Sequence, residues 1–400
     1  MIFGKIIKSI LCLVLLASLM CGCQVAGEDT SEADTANSRE NLLVWSYYET
    51  EAQQEALDKI IDGFNEVQSE YIASWEYVPM TEFSKKLAMG YTENALPDVV
   101  ILDNPDMPYY IKAGLLEDIS DIAKETGIQS DFYDVLLGTV YENGKLYGVP
   151  FNCNNTALFY RKDIFEEEGL SVPSDWQELS DTAKAVTKNG QYGFLMCSIE
   201  GEQGGFQVLP WILSAGEDIE SLGGEKTAKA YEFLYNLIID GSMDPNCINY
   251  SQIDVARKFI NGEAVMIQNG PWIIPMLEEA GIEYAVAPLP ADERASSVVG
   301  GENLTIIRGK NAEGGKDFIK YVLSDEVLES FCEESSVLAP KKTLEINYDD
   351  NMMVFADQMD KAVLRTQNKR WNAICSDVSG GLEKMLSQNM SAYDVAQILK

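Results

Sequence analysis

The chain carries 64 Asp and Glu residues, enough to supply the paired carboxylates of a glycosidase, since a retaining mechanism needs only two such groups about 5 Å apart. No local motif singles out a pair. Histidine is absent, which removes Ser-His-Asp and Cys-His catalysis and the commonest zinc ligand. Beyond residue 23 the cysteines are Cys153, Cys197, Cys247, Cys332 and Cys375. They are odd in number and widely spaced, with no Cys-x-x-Cys pair, so they form neither a metal knuckle nor a redox motif. At least one is free in a monomer, and together they read as small buried apolar residues. Gly223-Gly224-Glu225-Lys226-Thr227 faintly resembles a phosphate loop, but Glu225 separates the last Gly from Lys226. The segment reads as a helix start, and no ATP site or cofactor is expected.

What remains is non-covalent chemistry at the ends of strands. Leu42-Leu43-Val44-Trp45 is a compact apolar strand, followed by a helix with Leu57, Ile60, Ile61, Phe64 and Val67 at helical spacing. A second strand, Val99-Val100-Ile101-Leu102, follows the turn Leu96-Pro97-Asp98. In open α/β sheets ligands sit beyond the carboxyl ends of the strands, which points at Ser46 to Glu49 and at Asp103 to Asp106. Tyr141 to Tyr147 is a hairpin signal with Asn143-Gly144 at its turn. Leu158-Phe159-Tyr160 is a further strand, followed by a short helix near 163–168. Ser174 or Asp175 caps a helix through Val186, and Gly190 to Phe194 returns to a strand. Strands alternating with amphipathic helices make this an α/β protein.

The first 23 residues set the compartment. Lys5 and Lys8 precede an apolar run from Ile10 to Met20, too short to span a bilayer, which takes about 20 residues. Leu19-Met20-Cys21-Gly22-Cys23 resembles the lipobox of bacterial lipoproteins. That resemblance implies that residues 1–22 are a signal peptide and that Cys23, after the small Gly22, is lipidated; bulky Met20 makes Cys21 the poorer site. A diacylglycerol modification would give the two acyl chains that stable anchoring needs. The expected location is the extracytoplasmic side of a bacterial cell membrane. Residues 24–40 are rich in Glu, Asp, Ser, Thr and Ala with no aromatic and read, with Cys23, as a solvated leash.

The net charge is −34, and removing residues 1–22 takes away two lysines and no acid, leaving −36. Such a body repels phosphate backbones and anionic headgroups, so no nucleic-acid partner is expected. From Asn41 onward 360 residues remain, more than one core usually supports, and two lobes are the default.

The order of short motifs resembles one family over nearly all of the mature chain. Leu96-Pro97-Asp98-Val99-Val100 is followed by Ala113-Gly114-Leu115-Leu116-Glu117-Asp118-Ile119, Tyr147-Gly148-Val149-Pro150 and Leu158-Phe159-Tyr160-Arg161-Lys162. Pro173-Ser174-Asp175-Trp176-Gln177-Glu178-Leu179, Phe259 to Met266, Asn269-Gly270-Pro271-Trp272, Ala287-Pro288-Leu289-Pro290, Gly300 to Leu304 and Phe318 to Tyr321 continue it. Each match is weak alone, but their collinearity is specific. The chain resembles the extracellular carbohydrate-binding proteins of ABC importers, the maltose-binding-protein-like group, although the family more often has Asn where Arg161 stands.

The resemblance implies a two-lobed periplasmic-binding-protein-like fold of type II, with a ligand cleft between lobes joined by crossing strands. The expected lobes are 41–152 plus 300–337 and 153–299 plus 338–400. Crossings are expected near Asn152 to Thr156, Val299 to Gly301 and Leu338 to Lys341, with Gly300-Gly301 suited to a hinge. It further implies a non-enzymatic monomer that takes a mono- or oligosaccharide to permease subunits served by a separate cytoplasmic ATPase. The alternatives are a secreted glycosidase or a binding protein for a non-sugar solute.

A sugar site needs flat aromatic faces for the C–H faces of the ring and planar polar groups for its hydroxyls. The candidates are Tyr47, Tyr48 and Glu49 after the first strand, Asp103 and Asn104 after the second, and Asn152 and Asn154 in the first crossing. Trp272 matches the family's stacking tryptophan, Trp371 a second aromatic platform, and Glu302 a hydroxyl acceptor. Gly201 to Gln207 reads as a flexible loop from which Gln203 or Phe206 closes over the ligand. Trp45, Trp176 and Trp211 are assigned to the core, and Met243, Met266 and Met276 to gap-filling.

Overall fold

The computed structural model describes residues 39–188 and 190–400; Cys23 and the leash up to residue 38 lie outside the described residues, and the leash ends earlier than expected, because Glu40 already opens the first strand and its N–H donates to the Glu70 carbonyl. In chain order the strands are β1 (Glu40–Ser46), β2 (Tyr71–Tyr77), β3 (Val99–Asp103), β4 (Tyr141–Glu142), β5 (Lys145–Leu146), β6 (Val149–Pro150) and β7 (Ala157–Arg161). They continue with β8 (Tyr192–Leu195), β9 (Ala264–Asn269), β10 (Tyr284–Ala287), β11 (Ser297–Val299), β12 (Glu302–Ile306) and β13 (Ala362–Leu364). Two principal sheets form, one in the order β2-β1-β3-β12-β6 and the other β10-β7-β9-β8. In the first, β1 runs parallel to β2 and β3, while β12 returns antiparallel between β3 and β6. β4 and β5 pair as the expected hairpin, and Asn143 and Gly144 both take the positive φ that a tight two-residue turn requires.

Each sheet carries its own core. The first cluster gathers Val99 to Leu102 of β3 and Leu57, Ile60, Ile61 and Phe64 of the helix Glu51–Val67. Val67, expected on the same face, is 68% exposed; as the last helical residue it lies where the chain leaves the packed layer. Thr50 caps this helix, its hydroxyl accepting from the Gln53 N–H. The second cluster is built on β7, β8 and β9 and includes Trp211, Met243 and Met266, with Trp176 and the partly buried Met276 packed in as expected. Leu136, from the stretch otherwise packed in the first cluster, belongs to the second. The helix Trp176–Val186 starts where expected: Asp175 accepts from the Glu178 N–H, and the Ser174 hydroxyl donates to the Glu178 carboxylate. Lys188 and Gln191 close a turn that delays β8 until Tyr192. Gly224 caps the helix Glu225–Ile239, so the loop-like glycine pair is a helix start.

The loop expected after Gly201 is also corrected. Gly201 to Gln207 is not a flexible loop beyond Gly201 but the first turns of a buried helix, Glu202–Ser214. Its glycines permit close packing rather than mobility: a Cβ on Gly204 would come within 2.1 Å of the Ile199 carbonyl oxygen, and one on Gly205 within 2.7 Å of Cys375 Sγ.

The three chain passages between the sheets lie side by side. Asn154 and Gly300 exchange backbone hydrogen bonds at 3.2 and 2.8 Å, and Cys153 and Leu338 at 2.9 and 3.0 Å. Gly301 has φ +126°, and a Cβ there would sit 2.4 Å from the Asn152 carbonyl oxygen. Only glycine satisfies both conditions. All five body cysteines are buried and free.

Candidate functional site

The register of the first sheet brings several polar groups to one end. β1 runs out at Ser46 and delivers Tyr47, Tyr48 and Glu49 before the Thr50 cap. Beside it Glu302 opens β12 directly opposite Asp103, the last residue of β3. The Tyr47 hydroxyl donates to Glu302 Oε1 at 3.0 Å, and Asn152 Nδ2 donates to the Tyr48 hydroxyl at 2.8 Å. Burial, with Asp103 adding to it, raises the Glu302 carboxyl to about 7, although Asn152 and Tyr47 hydrogen bonds work the other way. Burial also raises Glu49.

The second sheet's side supplies a guanidinium. β13 pairs parallel with β11 in the register Val299 to Leu364, so Gly300 and Arg365 leave their strands together. Arg365 is 3% exposed. Its Nη2 donates to Asp103 Oδ1 at 3.0 Å and its Nη1 to Glu202 Oε2 at 2.7 Å. Two carboxylates hold Arg365 firmly charged against the opposing effect of burial, while burial raises Asp103 despite the cation beside it. Glu202 is in turn fixed by Trp371, whose Nε1 donates to Oε1 at 2.7 Å. The guanidinium lies 4.6 Å from the centroid of the Phe206 ring, and Phe206 stacks toward Trp272 at 6.4 Å and 29°.

These groups line a cleft with about 650 Å3 of empty space, including its mouth. Of the sequence-predicted residues, the structure brings Tyr47, Tyr48, Glu49 and Asp103 to its wall from the first sheet's side, with Glu302 among them. Asn154, Gln203, Phe206 and Trp272 reach it from the crossing and the second lobe. Three stand behind the wall. Asn104 accepts from Asn303 Nδ2, Asn152 supports Tyr48, and Trp371 is 1% exposed and holds Glu202. Sequence reading missed Arg365, Glu202, Gln53, Met80, Gln252 and Ile253. For Gln252 one signal was available: it starts the helix Gln252–Ile260, whose N-cap Ser251 and Asp254 form a capping box, and its backbone N–H donates to Gln203.

The arrangement pairs flat rings with hydrogen-bonding groups of both senses, which suits a polyhydroxylated ring better than an apolar or strongly anionic molecule. No group of His, Cys, Asp or Glu able to hold a metal occurs among the described residues, and no helix among them is long and apolar enough to cross a membrane.

The family profile described as bacterial extracellular solute-binding protein matches residues 59–350. The galactooligosaccharide-binding protein of Bacillus subtilis (strain 168) is 23% identical over 358 residues, covering 85% of this chain and 82% of that protein. Among solved structures, maltose-bound MalE3 of T. maritima superposes with a TM-score of 0.82 at 20% identity, covering 90% of this chain and 97% of that one. An ABC transporter solute-binding protein from Thermotoga lettingae, bound with α-D-tagatose, gives a TM-score of 0.82 at 22% identity, with coverage of 90% and 97%.

Proposed function

The chain belongs to the bacterial extracellular solute-binding proteins, and from that premise we propose that it captures a sugar or oligosaccharide outside the cytoplasm and hands it to the permease of an ABC importer. The observation that carries this reading is the cleft in which Tyr47, Tyr48, Phe206 and Trp272 face Glu49, Asp103 and Glu302. Rings and carboxylates in that mixture complement the two kinds of surface a sugar presents. Asn104, Asn152 and Trp371 act as positioning residues for the groups in front of them.

The two lobes are 41–152 plus 300–337 and 153–299 plus 338–400, and the passages at Asn154, Gly300 and Leu338 form the hinge on which they close. The protein works as a monomer and performs no reaction on its ligand. Residues 1–22 are a cleaved signal peptide and lipidated Cys23 tethers the body, a reading supported by the Gly22-Cys23 motif and by family membership outside the cytoplasm.

A thermal-shift screen over sugars, polyamines and peptides tests the reading, since a ligand at 100 times its Kd adds about 2.7 kcal/mol of stability. Stabilisation by one or more sugars is expected. Stabilisation only by polyamines or peptides would overturn the sugar assignment, and release of cleaved product from labelled oligosaccharides would replace binding by hydrolysis.

A further inference from the structure

Charge does not balance inside the cleft. Four carboxylates, Glu49, Asp103, Glu202 and Glu302, line it against one cation, Arg365. That guanidinium is already committed to Asp103 and Glu202, which leaves Glu302 without an ion pair among the described residues. Glu302 is only 9% exposed, and the groups that hold it are neutral donors, the Tyr47 hydroxyl at 3.0 Å and the Asn152 carboxamide. Asp103 opposes its charge, and the favourable pull of Arg365 is smaller than the effect of burial. A buried carboxylate in that position is costly when charged and keeps a proton instead. Around it stand rings rather than further cations. Tyr48 lies 6.1 Å from Tyr47, and from the other lobe Phe206 and Trp272 stack at 6.4 Å and 29°. Faces of this kind attract ammonium and guanidinium groups, and Phe206 already takes the Arg365 guanidinium at 4.6 Å. A net charge of −34 on the whole chain draws cations toward the cleft.

We infer that the ligand of this cleft is a cationic sugar, one carrying a free amine in its ammonium form, and that Glu302 receives the ammonium and so selects it over the neutral parent sugar. The assignment deepens the sugar-binding reading above and rests on it. The exchange balances: the ammonium and the protonated carboxyl of Glu302 give an ion pair in the cleft and one proton released to solvent. A neutral hydroxyl in the same place leaves the proton where it is and gains one ordinary hydrogen bond, whereas the ammonium gains a charge-assisted one beside aromatic faces. An N-acetylated amine carries no charge and loses that advantage. A linear polyamine would answer the carboxylates but would leave the amides of Gln53 and Asn154 in the lining without hydroxyls to pair.

The test is a calorimetric titration of the full mature chain with matched sets of sugars: glucose, galactose and mannose, their 2-amino-2-deoxy forms and the N-acetylated forms of those, and the β-1,4-linked dimers of glucose, glucosamine and N-acetylglucosamine. In a set that binds, the amine should bind about tenfold or more tighter than both other members. Repeating the titration in two buffers of different ionisation enthalpy, slightly below neutral pH, should show release of most of a proton with the amine and none with the parent sugar. Glu302→Gln keeps an acceptor for Tyr47 but no charge; it should bring the amine-to-parent affinity ratio to about one and abolish the proton release. A Glu302 that only supports the wall would instead weaken every member alike and keep the ratio. That result, or amines that bind no tighter than their parents in every set that binds, would overturn the cationic assignment and leave the sugar-binding reading standing. Binding of spermidine with no sugar of any set bound would remove the sugar-binding reading, and this assignment with it. Absence of binding to every set and to spermidine would overturn the amino-sugar assignment and leave the wider sugar screen to decide the reading beneath it.

Discussion

Trp272 contributes a flat face to the cleft at little entropic cost, because its ring is already held against Gly270 and toward Phe206. Stacking a sugar on that face should contribute on the order of 1–3 kcal/mol, comparable to burying a large apolar side chain. Trp272→Ala is therefore expected to weaken a sugar found in the screen roughly tenfold or more, read by calorimetry; an unchanged Kd would remove Trp272 from the site. Glu302 gives a prediction in pH. Its carboxyl titrates near 7 in the folded protein against 4.5 for an ordinary Glu, so between those values the folded state keeps a proton that the unfolded chain releases. Stability from this group is thus fullest below about 4.5 and falls as pH rises, the loss being complete above about 7 and amounting to roughly 3 kcal/mol. Glu302→Gln should flatten that part of the dependence of Tm on pH between 5 and 8, and an unaltered slope would show that Glu302 is charged throughout. The aromatic and carboxylate positions next to strand ends were legible in sequence because strand termini mark where ligands sit. Arg365 and Glu202 were not, because their roles arise from the β11–β13 register and from a helix disguised by Gly204 and Gly205.

Local signals and tertiary demands separate clearly among the elements. Where a local cap or turn signal agreed with periodicity, as at Asp175 and Asn143-Gly144, the element formed as read. Glu202–Ser214 is the opposite case, a helix buried on nearly every side, whose glycines would argue for a loop if their neighbours were unknown. Gly301 illustrates how a hinge element is built from a single backbone requirement. Gly301→Ala must place a side chain at φ +126° and against the Asn152 carbonyl, so it should cost about 1–3 kcal/mol or more in chemical denaturation. Wild-type stability in that variant would show that the crossing relaxes freely. The Asp103–Arg365–Glu202 triad is a further demand between elements. Arg365→Met leaves the buried Asp103 and the partly buried Glu202 carboxylates without their cation and should destabilise by about 3 kcal/mol, whereas adding Asp103→Asn and Glu202→Gln should recover much of the loss. Failure of the triple variant to recover would place the cost in packing against Phe206 rather than in charge.

The same triad bears on the molecule as a whole, because Asp103 ends a strand of the first sheet while Arg365 and Glu202 belong to segments packed with the second. A sugar held between the lobes touches both sides at once only when they are closed, and it therefore binds that state more tightly. Shifting a balance from 1:99 to 99:1 takes about 5.5 kcal/mol, within the roughly 8 kcal/mol of a micromolar ligand. Because Arg365 joins Asp103 on one side to Glu202 on the other, this bridge would lower that demand if it forms only when the lobes are closed. Two results are expected from small-angle scattering. Saturating sugar should reduce the radius of gyration of the wild-type protein, and Arg365→Gln should start from a larger ligand-free radius, fall further on binding, and bind more weakly in proportion to the closed fraction it has lost. A radius unchanged by sugar in both proteins would make the cleft a rigid, preformed site. An Arg365→Gln protein with the wild-type ligand-free radius would confine the triad to stability and leave closure to the sugar alone.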